Sequence, residues 1–289
     1  MQFPRSKLVP DRSTQTIDIM VFELNTGYKI KLDEVLSIAR NAGAAILNIY
    51  NDAPEKMDVQ YKDDKSPLTL ADSASHHIIA SGLILLTPDI PILSEEGKNI
   101  PYNERKNWEY FWCVDPLDGT KEFIRHNGEF TVNIALIHKN QPVLGIIYVP
   151  VTDVMYYGGL NIGSWKAGPH GELKKLKAST ADAECIAVGS RTHSSPEEAA
   201  YLAKHNVTNI ISAGSSLKFC MIAEGSAQIY YRYGPTMEWD TAAGHAIAIY
   251  SGAYLFKPNG ESFDYNKVEL LNGSFVCSAK PLSMIDSRL

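Results

Sequence analysis

Cysteine is scarce in this chain, four among 289 residues, and the four stand far apart as Cys113, Cys185, Cys220 and Cys277. No C-x-x-C pair and no histidine at zinc-finger spacing accompanies them, which argues against a disulfide-stapled scaffold and a structural zinc site. In apolar surroundings they read as reduced core thiols of a cytoplasmic protein. Long hydrophobic runs are lacking too. Ile78–Leu86 and Gly145–Val151 are about half the length a bilayer requires and are broken by Ser, Gly or Tyr, so a soluble chain with no transmembrane segment is expected. Positive charge is not in excess: 27 Lys and Arg against 33 Asp and Glu leave a net −6. Bulk attraction to a nucleic-acid polymer or an anionic membrane is therefore not expected. A small anionic ligand would have to be caught by local donors or by metal ions. No internal repeat or low-complexity tract is present.

What remains is an ordinary globular composition, 45% hydrophobic and 21% charged. A chain of this length buries roughly 75% of its unfolded surface, in one large domain or two. The stretch 1–30 carries Arg5, Lys7 and Arg12, but Ile17–Leu24 is interrupted by Asp18 and Glu23, so it holds no signal-peptide core. A transit peptide and a leader read from an upstream start, with Met20 as the working start, both fit. The segment is expected to be poorly ordered and is assigned no function.

From residue 31 the pattern organises. Leu32, Val35, Leu36, Ala39, Gly43, Ile46, Leu47 and Tyr50 follow helical spacing, with Asp33 and Glu34 in the first turn where the helix dipole favours acids. Thr69 and Asp72 resemble a capping box opening a second helix, whose face Ile78, Ile79, Leu83 and Leu86 runs until Pro88. The polar loop Lys62–Pro67 precedes it. Short β-prone runs follow at Ile90–Leu93, Tyr110–Val114, Phe130–Ile137, Val143–Val149 and Val154–Tyr157, spaced closely enough for antiparallel hairpins. After about residue 178, strand and helix alternate through Cys185–Val188, a helix opened by Ser195-Pro196, Asn209–Ser212, Ser215–Ala223, Ala227–Tyr231 and Glu238–Tyr250. The division is thus a helix pair with an antiparallel sheet over 31–177 and a smaller α/β half over 178–289.

Acidic residues gather at the ends of these elements. Glu95-Glu96 follows one strand, Asp115-Pro116-Leu117-Asp118-Gly119-Thr120 follows another, and Asp240 opens a helix. Two carboxylates about 4 Å apart repel by about 4 kcal/mol at an effective dielectric of 20, so a converged set stays ionised only around cations, and hard oxygens suit Mg²⁺. Pro116 turns the chain so that Asp115 and Asp118 can face one cation pair and the Leu117 carbonyl can add a ligand. The amides of Gly119 and Thr120 can then receive a phosphate. An ordinary turn with Asp118 as cap would produce the same hexapeptide; the remote acids weigh against it. Other phosphate and nucleophile motifs fail on spacing. Gly158–Gly163 is followed by Ser164 rather than the lysine of a Walker A loop, and Gly214-Ser215-Ser216-Leu217-Lys218 lacks the last glycine of a nucleophile elbow. Adjacent His76 and His77 point about 100° apart on a helix and make a poor chelate.

The ordered set Lys62–Asp72, Leu93–Glu96, Asp115–Thr120 and Trp239–Gly244 resembles the lithium-sensitive, Mg²⁺-dependent inositol monophosphatase superfamily over about residues 31–278. Asp118–Ile124, Asn127–Asn133, Gly214–Cys220 and Arg232–Thr236 resemble its 3'(2'),5'-bisphosphate nucleotidase branch. The resemblance implies a layered α-β-α-β-α fold of mixed α+β and α/β type. It implies that Glu95, Asp115 and the Leu117 carbonyl hold one Mg²⁺, that Asp115, Asp118 and Asp240 hold a second, and that Glu96 assists a weaker third. Asp64 with the Thr120 hydroxyl would orient and deprotonate the attacking water. His193, Ser215, Lys218 and Arg232 would lie near adenosine bisphosphate, with Glu95, Leu117, Asp118, Gly119, Thr120 and Asp240 also meeting the substrate. Lys218 and Arg232 alone would read as a solvated lysine and a surface arginine. Tyr231 stands where a proline often precedes the arginine, Met237-Glu238 precede Trp239, and the N-terminal extension has no counterpart.

The function implied is removal of the 3'-phosphate of adenosine 3',5'-bisphosphate, a by-product of sulfate activation and sulfotransfer in sulfur metabolism, by a cytoplasmic hydrolase. Peripheral attachment at the inner membrane and oligomeric state are left open. An inositol monophosphatase and a catalytically silent phospholigand-binding regulator are the alternatives; an intact water-activating pair argues against the latter.

Overall fold

A computed structural model describes residues 21–24, 27–52, 60–61, 67–180, 185–191, 195–281 and 283. Its helices are α1 (Leu32–Tyr50), α2 (Leu70–Leu86), α3 (Tyr102–Arg105), α4 (Thr120–Ile124), α5 (Pro196–Lys204), α6 (Leu217–Glu224) and α7 (Glu238–Tyr250). A seven-stranded sheet runs Leu173–Lys175, Gly163–Ala167, Val154–Gly159, Gln141–Val149, Thr131–His138, Tyr110–Asp118 and Ile92–Ser94 from edge to edge. Its neighbours are antiparallel except the last pair, which is parallel. A five-stranded sheet has the order Asn209–Ala213, Ile186–Ser190, Ile229–Arg232, Phe275–Ser278 and Tyr254–Phe256.

The layers follow from the alternation of side chains along each strand. Trp112, Val114, Ile134, Leu136, Ile146 and Tyr148 pack with the buried stripe of α1, Leu32, Val35, Leu36, Ala39 and Ile46. Their neighbours Phe111, Cys113, Ala135, Ile137 and Ile147 point the other way, onto α6 and α7. In the second sheet Tyr230 joins Phe219 of α6, whereas Ile229 and Tyr231 join Leu202 of α5. The order α1/α2, sheet, α6/α7, sheet, α5 is the expected α-β-α-β-α sandwich. Gly145 lets α7 lie close on the first sheet, since a Cβ there would come within 2.3 Å of the Ala243 carbonyl oxygen.

Several details differ from the sequence expectation: the first sheet adds Gly163–Ala167 and Leu173–Lys175, its Ile92–Ser94 edge pairs parallel, and the helix expected from Ser215 starts at Leu217. Val21–Glu23 and Lys29–Lys31 pair antiparallel, with Leu24 and Ile30 buried, so part of the stretch 1–30 contributes a hairpin to the core. The strand beginning at Tyr110 runs to Asp118 instead of stopping at Val114. The four cysteines are free, three buried and Cys185 half-buried. Among the described residues no helix is long and apolar enough to cross a membrane.

Candidate active site

The strand Tyr110–Asp118 survives its internal proline because of a register shift. Asp115 pairs with Asn133 and Asp118 with Thr131, so three steps on one strand oppose two on the other. In a regular strand residues three apart face opposite sides; the extra residue of a bulge puts Asp115 and Asp118 on the same side. Leu117 N–H donates to Asp115 Oδ1 at 3.1 Å, holding the bulge, and Ser75 Oγ of α2 donates to the Pro116 carbonyl at 2.7 Å. Parallel pairing with Ile92–Ser94 carries Glu95 to the same sheet end, where its N–H donates to the Val114 carbonyl at 3.1 Å. Asp240 arrives from the first turn of α7, where its Oδ2 caps the Met237 N–H at 2.8 Å.

These constraints converge. Glu95, Asp115 and Asp240 each offer a carboxylate oxygen, all within 4.8 Å of one another. Burial first, then the charges of Glu95, Asp118, Asp240 and Asp72, push the Asp115 carboxyl well above the usual carboxylate range. Asp240 is raised by burial, Asp118 and Glu95 in that order, with Met237 N–H and Arg232 opposing. An all-oxygen set, Asp115 buried and Glu95 and Asp240 half-buried, whose members repel one another fits a hard divalent cation, whose charge would offset that repulsion and favour the ionised carboxylates.

Asp118 lies beside this set and lines the same cavity, but its Oδ2 accepts from Ser215 Oγ at 2.7 Å and Ser216 Oγ at 2.6 Å. Glu96 is outside the set, and its charge is felt by His76. The Leu117 carbonyl faces the Thr120 hydroxyl at 3.4 Å. Gly119 takes φ +92°, the left-handed region that glycine tolerates, and α4 starts directly after it. The two histidines are not a chelate: His76 Nδ1 meets Ser94 Oγ at 2.9 Å and His77 Nδ1 meets the Ser73 carbonyl at 2.6 Å.

One carboxylate was hidden in the sequence by its own cap. Asp72 Oδ2 accepts from Thr69 N–H at 2.8 Å, completing the capping box, while Oδ1 accepts from the Thr120 hydroxyl at 3.3 Å. Asp72 is buried at 3% exposure, so it is a carboxylate brought deep into the site and not merely a surface cap. The available signal was chemical: a capping carboxylate has two oxygens, and the cap needs one. Asp64 and His193 lie outside the described residues.

The cavity at the acids measures about 470 Å³, and Ser190, Lys218, Phe219, Tyr230, Arg232 and Thr236 line it together with Glu95, Asp118, Thr120 and Asp240. Lys218 is buried, with Nζ donating to the carbonyls of Ser215 and Ala213 and standing 5.5 Å from the Tyr230 ring centroid. Burial pulls its pKa below the ordinary lysine value, with Asp118 opposing that shift. Arg232 faces Glu198 of α5 at 3.8 Å. Phe219 and Thr236 lie in the Gly214–Cys220 and Arg232–Thr236 segments that carry the resemblance, whereas Ser190 carried no signal in the sequence and Tyr230 none beyond β pattern.

An acidic cluster that could hold a metal ion and the cationic side chains Lys218 and Arg232 come together at one cavity, the arrangement a phosphate ester needs, and known families agree with it. The model of the inositol monophosphatase family matches residues 31–285, and the chain belongs to that family. The CysQ protein of Salmonella typhimurium, described as a 3'(2'),5'-bisphosphate nucleotidase, is 48% identical over 245 residues, covering 84% of this chain and 98% of that protein. CysQ of Buchnera aphidicola, with the same description, is 43% identical over 259 residues, 89% of this chain and 96% of its own. The crystal structure of CysQ from Bacteroides thetaiotaomicron, a bacterial member of the inositol monophosphatase family, superposes with a TM-score of 0.75 at 42% identity, covering 86% of this chain and 96% of that one.

Proposed function

We propose that the protein is a Mg²⁺-dependent phosphomonoesterase that removes the 3'-phosphate of adenosine 3',5'-bisphosphate, giving AMP and phosphate. The observation that carries this reading is the pairing, at one cavity of about 470 Å³, of an acidic cluster with Lys218 and Arg232. The nucleotidases to which the chain is similar supply the substrate class. Glu95, Asp115, the Leu117 carbonyl, Asp118 and Asp240 would hold two Mg²⁺, with Glu96 near a weaker third. Ions held there would supply Lewis-acid polarisation of the phosphoryl oxygens and make water a better nucleophile at neutral pH.

The chain's own groups do the rest. Thr120 donates its hydroxyl proton to Asp72 Oδ1, which leaves its oxygen lone pairs free to accept a proton from water in the cavity. We keep Asp64 as the partner of Thr120 that the resemblance implies and give Asp72 a basic role beside it: as the water oxygen bonds to phosphorus and the bond to the ribose 3'-oxygen breaks, the water proton passes to Thr120 and the Thr120 proton to the carboxylate that holds it, among the described residues Asp72. The leaving oxygen takes its proton from solvent. Lys218 and Arg232 hold anionic oxygens of the substrate in ground and transition state alike. The four free thiols suit a reducing, cytoplasmic compartment.

Phosphate release from adenosine 3',5'-bisphosphate and from inositol 1-phosphate, with Mg²⁺ and with chelator, tests the assignment. The bisphosphate should show the higher kcat/KM, and chelator should abolish turnover. Equal or greater kcat/KM on inositol 1-phosphate would make the chain an inositol monophosphatase. Lys218→Ala should raise KM for the bisphosphate far more than it lowers kcat, because a contact present in both states is uniform binding. Collapse of kcat at unchanged KM would remove Lys218 from the substrate wall.

A further inference from the structure

Two segments that carry the family resemblance, Asn127–Asn133 and Gly214–Cys220, are only partly accounted for by the roles given to Ser215 and Lys218. They face each other residue by residue. Alternate residues in extended backbone share one face, and Glu129, Thr131 and Asn133 meet three consecutive residues of the opposite turn. Glu129 Oε2 accepts from Gly214 N–H at 2.8 Å, Thr131 Oγ1 bonds Ser215 Oγ, and Asn133 Nδ2 donates to Ser216 Oγ at 2.8 Å. Both serines pass the constraint on to Asp118 Oδ2, at 2.7 and 2.6 Å. One oxygen of Asp118 is thereby committed, and the aim of the other is set.

The turn needs such support. Ser215 sits at φ +49°, in the left-handed region that L side chains seldom adopt. Gly214 is packed so tightly on Glu129 that a Cβ would come within 2.9 Å of the Glu129 Cβ. Glu129 is steadied from outside by Arg191, whose Nη2 donates to Oε1 at 2.6 Å.

We propose that Glu129, Thr131 and Asn133 are positioning residues, a three-rung clasp on the Gly214–Ser216 turn that aims Asp118 and so sets the divalent-cation affinity of the site. The inference rests on the acidic cluster being a cation site, and it does not depend on which phosphate ester is the substrate.

Mn²⁺ titration of the metal-stripped protein by calorimetry tests it, with wild type, Glu129→Ala, Glu129→Gln and Thr131→Val compared. Residues that orient metal ligands typically contribute about 10- to 100-fold in metal affinity. Glu129→Ala should weaken Mn²⁺ by about 10-fold or more on that scale, with the melting temperature of the metal-free protein little changed. Glu129→Gln keeps an acceptor for Gly214 N–H and should stay close to wild type; Thr131→Val should fall between. Wild-type affinity in Glu129→Ala would overturn the clasp, as would Glu129→Gln proving as weak as Glu129→Ala, which would place the effect in the Arg191 ion pair. A fall in metal-free melting temperature without a change in affinity would make the rungs merely structural. A wild-type enzyme that prefers inositol 1-phosphate would sink the nucleotide assignment and leave this ranking of Mn²⁺ affinities intact.

Discussion

Asp72→Asn is expected to lower kcat by about 10³-fold, within the range that a positioned general base contributes, with KM for the bisphosphate changed little. The substitution keeps the shape of the side chain. An asparagine can still accept from Thr69 N–H through its carbonyl, so the cap on α2 survives in part and the fold should lose no more than about 1 kcal/mol, the usual scale of an N-cap. What it loses is the second acceptor, the Oδ1 that receives the Thr120 hydroxyl proton at 3.3 Å. Thr120→Val should reproduce most of the kcat loss, and the double variant should be little worse than either single one, because the two groups act as a unit. Steady-state rates at saturating Mg²⁺ decide it. Near-normal kcat in Asp72→Asn would return Asp72 to the helix cap and leave Thr120 to another base.

Asp115→Asn should abolish turnover, by at least about 10²-fold, yet make the metal-free protein more stable. Asp115 lies at 2% exposure, and its carboxyl is raised by burial and by Glu95, Asp118, Asp240 and Asp72. A carboxyl whose folded pKa exceeds its unfolded value, about 3.9 for aspartate, binds more protons when folded. Stability from this group is therefore full below the unfolded pKa and is lost as pH rises through the folded one. With chelator at neutral pH the wild type should melt below Asp115→Asn, and the gap should close as pH falls toward 4. Mg²⁺ should reverse the order, raising the wild-type melting temperature by mass action while the variant responds weakly. Melting curves at two pH values, with chelator and with Mg²⁺, give all four corners. A variant that melts below wild type in chelator would mean that the carboxylate is stabilised by the protein itself rather than awaiting a cation.

Much of this architecture is legible in residue order. The α1 stripe from Leu32 to Ile46 is apolar at helical spacing and buried in the structure, and α7 spans Glu238–Tyr250 as its sequence pattern indicates. Such elements are local: a helical stripe is set by side chains a few residues apart. The α2 pattern was less decisive, because Ile79 and Leu83 are buried while Ile84 and Leu85 are 54% and 86% exposed. Apolar residues on every side leave the buried face to be chosen by the neighbour, here α1 and the first sheet.

By itself the sequence determined the chemistry available, namely Glu95, Asp115, Asp118, Thr120 and Asp240 at element ends with Lys218 and Arg232 downstream, and the family to which such an order belongs. Tertiary structure alone decided which oxygens point where. The bulge that turns Asp115 and Asp118 to one face comes from pairing with Asn133 and Thr131. The approach of Asp72 to Thr120 spans 48 residues, and the Ser215 and Ser216 bonds to Asp118 span 97 and 98. Hydrogen bonds of that kind exist only once the sheets and helices have closed their loops, so no local preference encodes them; they are set by register and packing, which the chain fixes all at once.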